Sequence, residues 1–117
     1  MVIAERVPRG LHPERIRKEL GLSREKMGYA LSVSAKTIEN WERRDQLPSD
    51  DDKRARLVAI AEVAHVGALV YGPDGLPVFL QTPLRALGDR TPLQEIMAGR
   101  VERVIEILAA EYEGLGF

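Results

Sequence analysis

Apolar residues recur at helical spacing through most of this chain, and short runs of capping and turn residues separate the periodic stretches. A first helix is predicted to open at Pro13, where the missing N–H costs nothing, with Ile16 and Leu20 on its apolar face. Gly21 suits the left-handed residue that ends a helix, and Ser23 is a natural N-cap for a second helix to about Leu31. Met27, Ala30 and Leu31 face inward on it. Ser34 caps a third helix, with Val33, Ile38 and Trp41 along one side, and Pro48 follows its end. The opposite side carries Lys36, Thr37, Asn40, Arg43 and Arg44, the cations, amides and hydroxyls that grip phosphates and read base edges. Two helices joined by roughly three residues form a helix-turn-helix, and the second is suited to a major groove.

The next helix runs from about Asp51 to Val66 or beyond and is apolar on most sides. Leu57, Ile60, Ala61 and Ala64 make one stripe, Ala59, Val63 and Val66 another, and Val58 widens the surface. Only Glu62 and His65 interrupt Leu57–Tyr71. Such a helix must be covered on most sides, by both ends of the chain and by a second subunit, so it reads as a central, dimerising element. The run GPDGLP at 72–77 is turn-rich. It is compatible with a hairpin between Leu69–Tyr71 and Val78–Leu80 or with a helix–loop–helix. A short helix follows near Thr82–Leu87, capped by Gly88. Thr91, Pro92 and Gln94 supply an N-cap, a first-turn proline and a capping-box partner. Leu93, Ile96 and Met97 face inward, and Gly99 stops that helix. The last helix is strongly periodic at Val101, Val104, Ile105, Leu108, Ala109 and Tyr112, with Glu102, Arg103 and Glu106 on its solvent side. The expected fold is all-α.

Composition narrows the function classes. With 117 residues, 44% of them hydrophobic and 30% charged, the chain is expected to be a soluble globular protein with a modest core. It has no Cys, no uninterrupted run of 18 apolar residues and no apolar signal-peptide core in MVIAERVPRG. A cytoplasmic protein without a membrane partner is expected. The formal charge of −1 is poor for a DNA binder. It is, however, unevenly distributed. Residues 1–49 hold ten Lys/Arg against seven acids, a balance of +3, and residues 57–117 hold four against eight, a balance of −4. Asp50, Asp51 and Asp52 begin the central helix, where acids complement the exposed N–H groups, so they need no metal. His12 and His65 have no nucleophile or carboxylate at motif spacing, and no phosphate-binding glycine motif is present. No catalytic residue, metal or cofactor is expected.

Residues Arg17, Leu20, Gly21, Leu22, Ser23, Leu31, Val33, Ser34, Ile38, Trp41, Glu42 and Pro48 resemble the Xre-type, phage-repressor-like helix-turn-helix domain. The resemblance implies phosphate contacts at Ser23 and Arg24, base-reading positions at Ala35, Lys36 and Asn40, and an Arg17–Glu42 ion pair positioning the recognition helix. Three positions depart from the pattern. Gly28 replaces a small Ala, which should cost about 0.5–1 kcal/mol of helix stability. Ser32 and Arg44 stand where glycines are usual, so a left-handed residue at Ser32 would be mildly strained.

The run FLQTPLRALGDRTPLQEIMAGRVERVIEILAAEYEG resembles the toxin-binding domain of Xre/MbcA/ParS antitoxins through Pro83, Leu87, Gly88, Thr91, Pro92, Leu93, Gly99, Val104, Leu108 and Gly114. Phe79 stands where many relatives have Trp. This family is helical around 72–77, which favours the helix–loop–helix there. The resemblance implies an antitoxin of a type II pair that represses its own operon and covers the active site of a RES-like, NAD-directed or ADP-ribosyltransferase-like toxin. The expected organisation is an arm over 1–12, a helix-turn-helix over 13–49, a dimerising helix over 50–71 and a toxin-binding domain over 72–117. The surface residues Asp89, Arg90 and Arg100 and the tail residues Glu113, Leu115, Gly116 and Phe117 are the candidate toxin contacts; a frayed terminus is the plainer reading of the tail. The expected partners are operator DNA, a cognate toxin and a second copy in a homodimer or higher even oligomer. A stand-alone repressor whose C-terminal half only dimerises is the competing reading.

Overall fold

The computed structural model describes residues 10–115. Six α-helices follow in order: α1 (Pro13–Leu20), α2 (Arg24–Leu31), α3 (Ala35–Arg44), α4 (Asp51–Leu80), α5 (Pro92–Met97) and α6 (Val101–Gly114), with a 3-10 turn at Arg85–Leu87. The fold is all-α. Residues 1–9 of the expected arm and Gly116 and Phe117 of the tail lie outside the described residues.

The capping chemistry anticipated from the sequence is in place. Gly21 is left-handed (φ 72°) and returns its N–H to the end of α1. The Lys26 N–H donates to Ser23 Oγ and the Thr37 N–H to Ser34 Oγ, each at 3.1 Å. Asp50 accepts from the Lys53 N–H at 3.0 Å, and Asp51 and Asp52 occupy the first turn of α4. At α5 the box closes both ways: Thr91 N–H donates to Gln94 Oε1 at 2.8 Å and Gln94 N–H to Thr91 Oγ1 at 3.1 Å.

Several details differ from expectation. Ser32 does adopt the left-handed conformation, at φ 57°, but the one closing α3 falls on Asp45 (φ 48°), one residue beyond Arg44. Gly28 is not a weak substitute for Ala. A Cβ there would sit 2.6 Å from the Val33 carbonyl oxygen, so the close approach of the turn excludes one. The helix anticipated over Thr82–Leu87 is reduced to the 3-10 turn, stabilised by a bridge between Leu84 and Arg90. Ala109, assigned to the inward stripe of α6, is exposed, whereas Val101, Val104 and Leu108 are buried.

The turn-rich stretch at 72–77 narrows to a single break. Gly72 has φ 76° and ψ 168°, a region open essentially to glycine alone, and Pro73 then starts a second helical limb. This elbow folds α4 onto itself. Gly67 lies so close to Leu76 that a Cβ would stand 2.4 Å from Leu76 Cδ1. By length and average composition α4 is the one described helix that would suffice to cross a bilayer. Its apolar stretch before the elbow, Leu57–Tyr71, is nevertheless shorter than the about 20 residues a span requires. One face of it is also engaged internally, with Leu57, Ile60 and Val63 fully buried, while Val58 and Leu69 face outward.

One continuous core runs through the molecule. Ile16, Leu20, Met27, Leu31 and Ile38 of the first three helices join Leu57, Ile60, Val63, Leu76 and Leu80 of α4, and Ile96, Val104 and Leu108 of α5 and α6. Val63, on the second apolar stripe of a helix expected to dimerise, is inside this core. The outward side of α4 carries Val58, Glu62, His65 and Leu69 instead, spaced i, i+4, i+7 and i+11 along one face.

Candidate functional site

The pair α2–α3 is built around a carboxylate. Glu42 points back from α3 with its side chain only 2% exposed, and two guanidinium groups close on it. Arg17 Nε donates to Oε2 at 2.5 Å and Nη2 to Oε1 at 3.1 Å, while Arg17 Nη1 donates to the Leu22 carbonyl. Arg24 Nε donates to Oε1 at 3.0 Å. Burial works to raise the Glu42 pKa, but the hydrogen bonds from Arg17 and Arg24 outweigh it and hold the carboxyl below its ordinary value. The pair implied by resemblance is therefore present, with Arg24 as an added member. Arg24 was expected to face phosphate alone; its guanidinium instead also ties α2 to α3.

Most of the other basic-face residues are placed on the surface. Lys36, Arg43 and Arg44 are exposed, and Ala35, Thr37 and Asn40 are half-buried beside them. Lys36 Nζ stands 3.5 Å from Glu39, a surface pair of little energy. Arg43 and Arg44 lie in the last turn of α3, where cations favour the helix dipole. The hydroxyls of Ser23 and Ser34 are engaged as caps, and Thr37 Oγ1 lies 3.0 Å from Ser34 Oγ. His12, the N-cap residue of α1, reaches across to Asp45 at 2.9 Å, joining the start of α1 to the end of α3.

A second buried carboxylate organises the C-terminal half. Glu95 on α5 is fully buried and receives Arg90 on Oε1 and Arg100 on Oε2, the latter at 2.5 Å. Hydrogen bonds from Arg90 and Arg100 hold its carboxyl below the ordinary range despite burial. Two arginines proposed as toxin contacts thus serve first to brace the loop before α5 and the start of α6. Both remain nearly half exposed. Asp89 is exposed at φ 66°, and Glu113 and Leu115 are exposed at the end of α6. Glu95 was not singled out from the sequence, although arginines five residues to either side of it were a readable signal.

Beside this half lies an apolar groove of about 370 Å³, lined by Tyr71, Gly75, Val78, Phe79, Thr82 and Leu84. Tyr71 stacks on Phe79 across the elbow, ring centroids 4.7 Å apart. This groove was also missed, because its walls meet only through the turn at Gly72.

These features define a small all-α protein with a cationic helical surface at one site and a braced, partly apolar surface at another. No protein-family model matches the chain. The MbcA antitoxins, "Mycobacterial cidal antitoxin MbcA", of Mycobacterium bovis and Mycobacterium tuberculosis are 30% identical to it over 98 residues, 84% of this chain and 86% of theirs. The crystal structure of the M. tuberculosis MbcT–MbcA toxin–antitoxin complex contains a chain that superposes with a TM-score of 0.72 at 27% identity, covering 87% of this chain and 91% of that one. The chain belongs to the MbcA antitoxin family.

Proposed function

We propose that this protein is the antitoxin of a type II toxin–antitoxin pair: it binds and inhibits a cognate toxin, and its dimer represses its own operon. The observation that carries the reading is the extent of the likeness to MbcA. A match over 98 residues of this chain necessarily includes everything from α2 to α5, and with it the cationic face of α3 and the groove at the elbow of α4. MbcA itself was crystallised with MbcT, as a toxin–antitoxin complex. The sequence resemblance to Xre/MbcA/ParS antitoxins supports a RES-like, NAD-directed toxin as the partner.

Residues 13–49 are proposed as a helix-turn-helix that lays α3 in the major groove. Lys36 and Asn40 would read bases, and Arg43, Arg44 and the α2 start at Ser23 and Arg24 would hold phosphates. The Arg17–Glu42–Arg24 cluster fixes α3 against α1 and α2, so the reading residues are presented on a rigid frame. The outward face of α4, with Val58 and Leu69 about half exposed, is the proposed homodimer contact. Residues 72–117 are proposed to dock the toxin. Their acidic balance keeps this half away from DNA.

Co-expression with the product of the neighbouring reading frame tests the first part. A stable complex, with growth restored when the partner is toxic alone, is the expected result; a partner that neither binds nor poisons cells would leave only the repressor. For the second part, Lys36→Ala and Asn40→Ala should each weaken binding to the chain's own promoter by about 1–3 kcal/mol and blur base preference. Wild-type affinity in the double variant would reject DNA reading by α3.

A further inference from the structure

The apolar groove at the elbow of α4 has the makings of a partner seat, and three observations bear on its occupant. Its lining is almost wholly apolar, yet it opens to the surface: Val78 is 66% exposed and Tyr71 is 38% exposed. Gly75 contributes to its depth, since a Cβ there would meet Tyr71 Cβ at 3.0 Å. Its rim is acidic. Asp74 stands one helical turn before Val78 on the same limb and is exposed. Glu111 of α6 lies close enough that its negative field, after burial, helps raise the Tyr71 hydroxyl above its ordinary value.

Among the described residues neither Asp74 nor Glu111 enters an ion pair, whereas Glu42 and Glu95 are each clamped by two arginines. Glu102, Glu106 and Glu113 lie on the other side of α6 from Glu111, so the acidic rim of the groove is Asp74 and Glu111 alone. An exposed apolar floor with the unpaired carboxylates Asp74 and Glu111 on one side, and the exposed Arg85 following Leu84 on the other, favours a partner that brings an apolar side chain with positive charge on the Asp74–Glu111 side.

We propose that this groove is the docking seat for a segment of the toxin in which one aliphatic or aromatic side chain is flanked by Lys or Arg. This inference rests on the antitoxin reading and goes beyond it by assigning recognition to the elbow, apart from the tail and from Asp89, Arg90 and Arg100. The apolar side chain fills the space between Val78, Phe79 and Leu84, and the cations face Asp74 and Glu111.

The test uses the full chain and the purified product of the neighbouring reading frame, with affinity measured by calorimetry at two salt concentrations. Val78→Asp changes an exposed residue, so the melting temperature should hold while Kd rises at least tenfold. The double variant Asp74→Lys/Glu111→Lys should also bind more weakly and with a shallower salt dependence. Tyr29→Asp, at the 71% exposed aromatic on α2, should bind as wild type does. Wild-type affinity in both groove variants would overturn the proposal while leaving the antitoxin reading intact. No binding by the wild-type chain would sink that reading, and the seat with it. Sedimentation of the antitoxin alone distinguishes the remaining occupant: a homodimer dissociated by Val78→Asp would assign the groove to a second copy and reject the toxin segment.

Discussion

Glu42 and Glu95 occupy equivalent roles in the two halves of the molecule. Each is a carboxylate removed from solvent and held by two guanidinium groups, and each brings together segments that are distant or loop-bound. Their folded pKa values lie below the ordinary 4.5, so the unfolded chain binds more protons in acid. The stability they contribute is fully present above about pH 4.5 and is lost as pH falls through the lower folded values. Melting temperatures measured from pH 7 down to pH 3 should therefore drop on the acid side of 4.5. Glu95→Gln should melt lower at pH 7 and show a flatter acid limb; an unchanged limb would mean that Glu95 does not titrate with unfolding. The Arg17–Glu42 pairing was readable from family pattern because its members sit at characteristic helix positions. The third member, Arg24, was not, since its side chain could equally have faced away from the protein.

At the scale of elements, caps were the most legible feature. Ser23, Ser34, Thr91 and Gln94 act within three residues of themselves, so local sequence determines what they do. What depends on contacts between elements was harder to read. Gly28 looked like a loss of helix propensity, yet the Val33 carbonyl occupies the space a methyl would need. Gly28→Ala should accordingly destabilise the protein by about 1–3 kcal/mol in chemical denaturation, despite alanine's better helix propensity. A gain in stability would show that the turn relaxes freely. The apolar breadth of α4 was visible, but which stripe turns inward is decided by the elbow at Gly72 and by α6. Val63→Asp should therefore unfold the chain, as judged by circular dichroism. Leu69→Asp should keep it folded and, if the outward face is the homodimer contact, yield monomers in sedimentation; a folded dimer from Leu69→Asp would remove that face from consideration.

For the molecule as a whole, a two-fold dimer carrying two copies of α3 should bind an inverted repeat with half-site centres about 34 Å apart or a multiple of it. Inserting half a helical turn between half-sites should abolish the bivalent gain in a mobility-shift titration. The charge split between residues 1–49 and 57–117 was legible from counting alone. The groove at the elbow of α4 was not, because Tyr71 reaches its wall only through the torsion at Gly72, and Thr82 and Leu84 only through the turn that ends α4. Deleting residues 115–117 offers a separate check on the tail: melting and DNA binding should be nearly unchanged, and loss of toxin neutralisation would assign the tail a plugging role.

The continuity of the core has a consequence for how the protein is removed. Helices α1 to α3 share their buried side chains with α4, and α4 shares its own with α5 and α6, so neither end retains a complete interior if the other opens. Such a chain loses its structure as one cooperative unit. A single proteolytic event in α4 would end the proposed promoter binding and the proposed toxin binding together, so that neither would outlast the other.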